Sequence, residues 1–119
     1  MTNPTSLGIE ATVAEAAKAM CRAEVGSVII LKNNKPIGIV TEEDIACKVV
    51  AKDLKPSTVH VNKIMSTPLI TVSADKTVGD AATMMVKNKV RRLPVIDAKN
   101  KVIGMVTVRD LLAVSNELN

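Results

Sequence analysis

Apolar positions in this chain follow two rhythms. Val13, Ala16, Ala17 and Met20 fall at the spacing of one helical face, behind a Thr12-Val-Ala-Glu15 capping box, and predict a helix over roughly 13–24. Val28 to Leu31 and Ile37 to Val40 are instead continuous apolar runs on either side of the polar turn Lys32-Asn-Asn-Lys35. They predict a β-hairpin, preceded by Gly26 and Ser27, whose strands are buried on both faces. A second capping box, Thr41-Glu-Glu-Asp44, opens a helix with Ile45, Val49 and Val50 expected inward. Lys55-Pro56 should end that helix, because a residue before proline avoids the helical region.

The same order returns further along. Thr12, Val13, Ala16, Ala17, Met20 and Val25 recur 65 positions on as Thr77, Val78, Ala81, Ala82, Met85 and Val90. Lys35, Ile37, Gly38, Val40, Thr41 and Asp44 recur 66 positions on as Lys101, Ile103, Gly104, Val106, Thr107 and Asp110, so one residue has been inserted in a turn. Because polar Thr and Asp repeat along with core positions, apolar patterning alone does not account for the match. The second copy predicts an extended segment over 69–72, a helix over 78–89, a hairpin from 93–96 and 102–106, and a closing helix over 108–117. Residues 53–63 read as the connector. The chain is therefore expected to be one module of α/β (α+β) class, 1–119, made of two β-α-β-β-α repeats, about 1–58 and about 59–119, related by pseudo-two-fold symmetry. A period near 65 with only two copies points to a compact pair and not to a solenoid.

Composition narrows what such a module does. At 119 residues with 47% apolar and 24% charged, the chain suits one globular core and leaves no room for a second domain of different activity. Phe, Tyr and Trp are absent, so a ligand ring would be held by aliphatic side chains, and stacking on single-stranded nucleic acid is disfavoured. The apolar runs are far shorter than a bilayer span, and Met1-Thr2-Asn3-Pro4 does not read as a signal peptide, so a cytoplasmic location without membrane attachment is expected. Cys21 and Cys47 sit in helical patterns and read as small buried hydrophobes. His60, the only histidine, reads as a surface or loop residue, and no metal site is expected. Met20, Met84 and Met85 read as core, while Lys87 and Lys89 fall at the solvent end of a helix. The net charge of +4 and pI near 9.2 suit an anionic partner.

Phosphate-loop, dinucleotide-binding, nucleophile-elbow and zinc-protease motifs are all missing, and no catalytic residue is predicted. What recurs is Gly38-Ile-Val-Thr41-Glu-Glu-Asp44 and Gly104-Met-Val-Thr107-Val-Arg-Asp110: a strand running straight into a capped helix start. Such an end suits an anion, the Thr hydroxyl can donate to it, and an Asp one turn on can accept the hydrogens of a ribose diol. The same Thr-x-x-Asp spacing is also an ordinary helix-starting box, and both readings stand at this point.

Over nearly its whole length the chain resembles the paired CBS domain, or Bateman module. The resemblance lies in Lys63-Ile-Met65, Pro68-Leu-Ile-Thr71, Thr77-Val-x-x-Ala-Ala-x-Met-Met85, Val90-Arg-Arg-Leu-Pro-Val-Ile-Asp97 and Gly104-Met-Val-Thr-Val-Arg-Asp110. It implies a regulatory module, with no bound cofactor, that takes AMP, ADP or ATP, or in some members S-adenosylmethionine or a dinucleotide such as NAD, in clefts between its repeats. Carried onto this chain, a first pocket would combine Ile39, Thr41 and Asp44 with Leu69, Ile70, Val90, Arg91, Arg92 and Pro94. Asp44 would hold the ribose, and Thr41 with the arginines the phosphates. A second would combine Met105, Thr107, Arg109 and Asp110 with Ser6, Leu7, Val25, Gly26 and Ser27. Glu43 stands where Arg109 stands in the second repeat, yet the arginine pair favours the first pocket.

The resemblance also implies pairing into a homodimer through helices, for which the apolar faces at 13–24 and 108–117 are candidates, and a separate effector protein that reads the ligand state. The competing expectation is a structural or protein-interaction scaffold that has lost ligand binding. Nucleic-acid binding has only the positive charge behind it.

Overall fold

The computed structural model describes residues 4–118, with side chains through Ala113, so Met1 to Asn3 of the opening segment lie outside it. The chain divides into two compact units, Thr5–Leu69 and a second running from Ile70 onward.

In the first unit, β1 (Ser6–Gly8) runs parallel to β2 (Ser27–Lys32), which pairs antiparallel with β3 (Lys35–Thr41). Helix α1 (Val13–Ala23) connects β1 to β2. Its buried stripe of Val13, Ala16 and Met20 packs with Val28, Ile30 and Val40 of the sheet into one core. The helix stops where Glu24 turns left-handed at φ 55°, returning its N–H to the Met20 carbonyl. Asn33 and Asn34, both at positive φ, close the hairpin in two residues, the geometry that matches strand twist and that Asn tolerates.

The second unit repeats this plan. β4 (Val72–Ser73) runs parallel to β5 (Arg92–Ile96), which pairs antiparallel with β6 (Val102–Thr107). Helix α3 (Val78–Asn88) connects β4 to β5, and α4 (Val108–Leu118) follows β6. Ala81, Met85, Leu93 and Val95 form its core with Val72, and Met84 packs against it half-buried. The correspondence reaches single hydrogen bonds. Ile9 N–H to the Leu31 carbonyl returns as Ala74 to Ile96, and the strand irregularity at Ile30/Leu31 returns at Val95/Ile96. The inserted residue sits in the second hairpin turn. There the Asp97 carboxylate accepts the N–H groups of Lys99 and Lys101, both at 2.9 Å, and fastens the longer loop.

Four differences from the sequence reading have physical causes. The helix after Thr41 is α-helical only over α2 (Glu42–Ile45) and continues as a π-helical segment, Ala46–Val50. Val49 is fully buried and Ile45 half-buried, but Val50 is 63% exposed, since its neighbouring position on the helix is rotated away from the core. Strand β3 is not buried throughout: Gly38 and Val40 are inside while Ile37, Ile39 and Thr41 beside them are half-buried, the alternation of a strand with one covered face. Cys21 and Cys47 are both exposed, because each lies on the outer side of its helical segment, one position from a buried residue (Met20) and two from another (Val49).

The fourth concerns residues 53–63. The connector is packed: Val61, and Ile64 just beyond it, are buried in the first core, and two short 3-10 turns, Pro56–Thr58 and Val61–Lys63, carry the chain there. Backbone bonds from Val13 N–H to the Val59 carbonyl and from Val61 N–H to the Ala11 carbonyl hold the segment against the start of α1. His60, exposed, bridges to Thr12 within this ladder.

Candidate functional site

Among the described residues, the four α-helices open the same way, with a threonine and an acidic residue three positions on. At α1 and α3, Thr12 with Glu15 and Thr77 with Asp80 form reciprocal boxes on the surface. Their main-chain and hydroxyl bonds hold the Glu15 and Asp80 carboxyls below their usual range. At α2, the Asp44 N–H donates to Thr41 Oγ1 at 3.1 Å, and Asp44 Oδ2 accepts from Thr41 N–H at 2.9 Å and from its hydroxyl at 3.0 Å. At α4, Asp110 Oδ2 accepts from Thr107 N–H at 2.9 Å and its hydroxyl at 3.2 Å. In both junctions the threonine proton is thus directed at the aspartate, and the aspartate's second oxygen is the one left for anything else.

That second oxygen differs between the repeats. Asp44 Oδ1 is paired with Lys48 Nζ at 2.9 Å, and Lys48 also donates to the Ile64 carbonyl at 2.9 Å. Asp44 is 8% exposed. Asp110 is half-buried, and the position matching Lys48 is Val114. Lys48 is a site neighbour that the motif reading missed; its i, i+4 spacing from Asp44 was the available signal.

Strand pairing sets the surroundings of each junction inside its own unit. In the first, Ser27 lies opposite Thr41, and the Gly26 carbonyl accepts the Glu42 N–H at 3.0 Å. In the second, Arg92 lies opposite Thr107, Pro94 opposite Met105, and the Arg91 carbonyl accepts the Val108 N–H at 2.9 Å. Arg91 and Arg92 therefore adjoin the Thr107–Asp110 junction along the backbone ladder and Arg109 lies within it, whereas Gly26, Ser27 and Glu43 hold the matching places at the other. Val90 precedes the arginines and donates its N–H to the Met85 carbonyl, as Val25 does to Met20.

The remaining predicted residues are placed as follows. Ser6 and Leu7 lie on β1, in register with Ile29 and Ile30. Leu69 and Ile70 are half-buried where the two units meet in sequence. Ahead of them, Ser66 runs antiparallel to β3, exchanging both main-chain bonds with Ile39 at 2.9 and 3.2 Å. Gly38 permits this approach: a Cβ there would lie 2.9 Å from the Ser66 carbonyl oxygen. Among the described residues no cluster of three His, Cys, Asp or Glu side chains could hold a metal, and no helix is long and apolar enough to cross a membrane.

Two sheet-and-helix units that repeat the same strand-to-helix junction define a tandem module, and comparison with known proteins gives its family. The CBS domain family model matches residues 1–50 and 61–117, and the chain belongs to that family. An uncharacterized protein of Methanopyrus kandleri is 43% identical over 104 residues, 87% of this chain; the chain spans about half of that relative, 53% of its length. Two solved structures superpose closely. One is a CBS domain protein of Pyrobaculum aerophilum complexed with AMP, with TM-score 0.88 and 27% identity, covering 99% of this chain and 92% of that one. The other is a CBS domain pair in complex with 5′-methylthioadenosine and S-adenosyl-L-methionine, with TM-score 0.89 and 28% identity, covering 100% and 93%.

Proposed function

We propose that this chain is a ligand-sensing regulatory module that takes an adenine nucleotide of the AMP, ADP or ATP type and passes its ligand state to a separate effector protein. The observation that carries this reading is the doubled strand-to-helix junction. A threonine and an aspartate recur at the same point of each repeat, and strand register sets Arg92 opposite the second threonine. Similar structures hold AMP or the adenosine compounds 5′-methylthioadenosine and S-adenosyl-L-methionine, which supports the ligand class. The two residue sets given under Sequence analysis are the proposed lining of two sites. Signalling needs only that the ligand bind two arrangements of the protein with different affinity. The reading assigns no catalytic step.

A homodimer is part of the same reading. Val78 and Val86 on α3 and Val108 and Leu112 on α4 are large apolar side chains left exposed, the kind of surface that a second copy covers. Helix α1, by contrast, turns its apolar stripe into the core, so the 13–24 face is withdrawn as a pairing surface.

The scaffold alternative has one observation in its favour: α1 and α3 are opened by the same Thr-x-x-acid box with no ligand role assigned to them. A thermal-shift titration against AMP, ADP, ATP, NAD and S-adenosylmethionine separates the two. A ligand at 100 times its dissociation constant adds about 2.7 kcal/mol, several degrees for a chain of this size. Stabilisation by one of them supports the sensor, and a flat response to all five moves the protein to the scaffold class.

A further inference from the structure

In the first unit a segment from outside the β-α-β-β-α plan closes the core. Residues 59–65 lie across the start of α1, with Val61 and Ile64 buried in the core and Val59 and Met65 packed against it. Main-chain bonds fix the segment in place. Val13 N–H donates to the Val59 carbonyl at 2.8 Å, Val61 N–H donates to the Ala11 carbonyl at 2.9 Å, and Thr12 bridges His60 between them. Val13 and Val40, in the same core, are fully buried.

In the second unit the matching positions, 65 or 66 residues on, line a cavity of about 150 Å³. Its walls include Val72, Val78, Ala81, Val95 and Val106, which stand where the first unit has Leu7, Val13, Ala16, Ile30 and Val40. Val78 is 51% exposed where Val13 is 0%, and Val106 is half-buried. Among the described residues, the Val78 N–H and the Lys76 carbonyl have no main-chain partner, whereas the same groups of Val13 and Ala11 are bonded.

We infer that this cavity and the main-chain edge beside it form a docking slot for an extended apolar segment of a partner protein, held as the first unit holds 59–65. The inference does not depend on nucleotide binding. The first unit defines the occupant: a strand with apolar side chains at the spacing Val61-x-x-Ile64, whose carbonyl and N–H two residues apart bond Val78 and Lys76. Main-chain bonds supply affinity in such a strand addition, and the cavity selects the side chains. Charge fits the same kind of strand. Glu15 feels the charge of His60, the central residue of the first ladder, and Asp80 is the counterpart of Glu15. Lys76 also acts on Asp80, so a strand with one basic residue suits the rim and a strongly basic one does not. Residues 59–65 of a second copy are not the occupant, because each copy already seats them in its own first unit.

Amide hydrogen exchange and an NMR titration test this on the full chain, with a synthetic peptide of residues 57–66 as the probe. In the free protein the Val78 amide should exchange at least about 100-fold faster than that of Val13. The peptide should slow exchange at Val78 and shift the amides of Val72, Lys76, Ala81 and Val106 saturably. Val78→Pro removes the N–H donor yet suits the first position of a helix, with Thr77 extended before it at ψ 166°. It should weaken the peptide about 3- to 10-fold, the loss of one hydrogen bond. Ala81→Leu, which fills the cavity from its own wall, should abolish binding, as should a peptide carrying Val61→Ser and Ile64→Ser. A Val78 amide as protected in the free protein as that of Val13 would overturn the inference, since the slot would then be closed without the partner. So would shifts confined to Ala11 and Val13, which mean exchange with the protein's own segment, no shifts at all, or unchanged affinity in both variants. Should either variant fail to fold by circular dichroism, exchange in the free protein and the serine peptide decide the matter.

Discussion

Gly38 lies so close to Ser66 that a Cβ on it would stand 2.9 Å from the Ser66 carbonyl oxygen, with Met65 Sδ at 3.0 Å. The obstacle is backbone, and that backbone is tied to Ile39 through two hydrogen bonds, so it cannot move aside without breaking them. Gly38→Ala is expected to cost about 1–3 kcal/mol by overpacking, measured as a lowered urea midpoint. An unchanged midpoint would show that the 65–69 segment is free to shift.

The segment before it is structural as well. Ile64→Ala should cost about 2–5 kcal/mol, as for other buried aliphatic truncations, because Ile64 is 3% exposed in the first core. Leu54→Ala, at 45% exposure only ten positions earlier, should change stability by less than about 0.5 kcal/mol. Equal effects from the two would contradict the packing of 59–66 described above.

Asp97→Ala removes the acceptor for two main-chain N–H groups in the longer hairpin turn. A loss of about 0.5–1.5 kcal/mol is expected, with Asp97→Asn recovering part of it, since an amide oxygen still accepts. Hydrogen exchange at Lys99 and Lys101 should quicken in the alanine variant alone.

Acid sensitivity follows from the two surface capping boxes. Glu15 is held below its ordinary 4.5, first by the main-chain bond from Thr12, and Asp80 below 3.8 by that from Thr77. A carboxyl with a lowered pKa when folded stabilises the fold above its unfolded value, and that contribution fades as pH drops through the folded one. Glu15→Gln and Asp80→Asn should therefore melt below wild type at pH 7, with the gap narrowing in melts taken below about pH 4. A gap that does not change with pH would mean that the boxes act through shape alone.

Cys21 and Cys47 are exposed. Both should react with a thiol reagent such as Ellman's reagent in the native protein, at a rate unaffected by low concentrations of denaturant. Reaction only after unfolding would place them inside.

Sequence by itself determined the repeat, the order of elements, the helix starts and the hairpins. These are set by local chemistry: Thr-x-x-acid boxes that satisfy free N–H groups, asparagines that accept positive φ, and apolar spacing that picks a face. The inserted residue in the second turn was visible as a change of offset between Leu31 and Lys35. It also determined which residues stand at the two junctions, since Thr41, Asp44, Thr107 and Asp110 repeat with their glycines.

Tertiary structure alone decided what surrounds them. Val50 faces outward beside the buried Val49, and residues 59–66 fold back onto a core that the spacing of α1 could not reveal. Lys48 reaches both Asp44 and the Ile64 carbonyl only because that fold-back brings Ile64 beside the helix. Strand register, not sequence distance, sets Arg92 against Thr107, fifteen positions later in the chain. Local free energies fix elements within a few residues, whereas partners far along the chain are chosen by packing and register, which no single window of sequence contains.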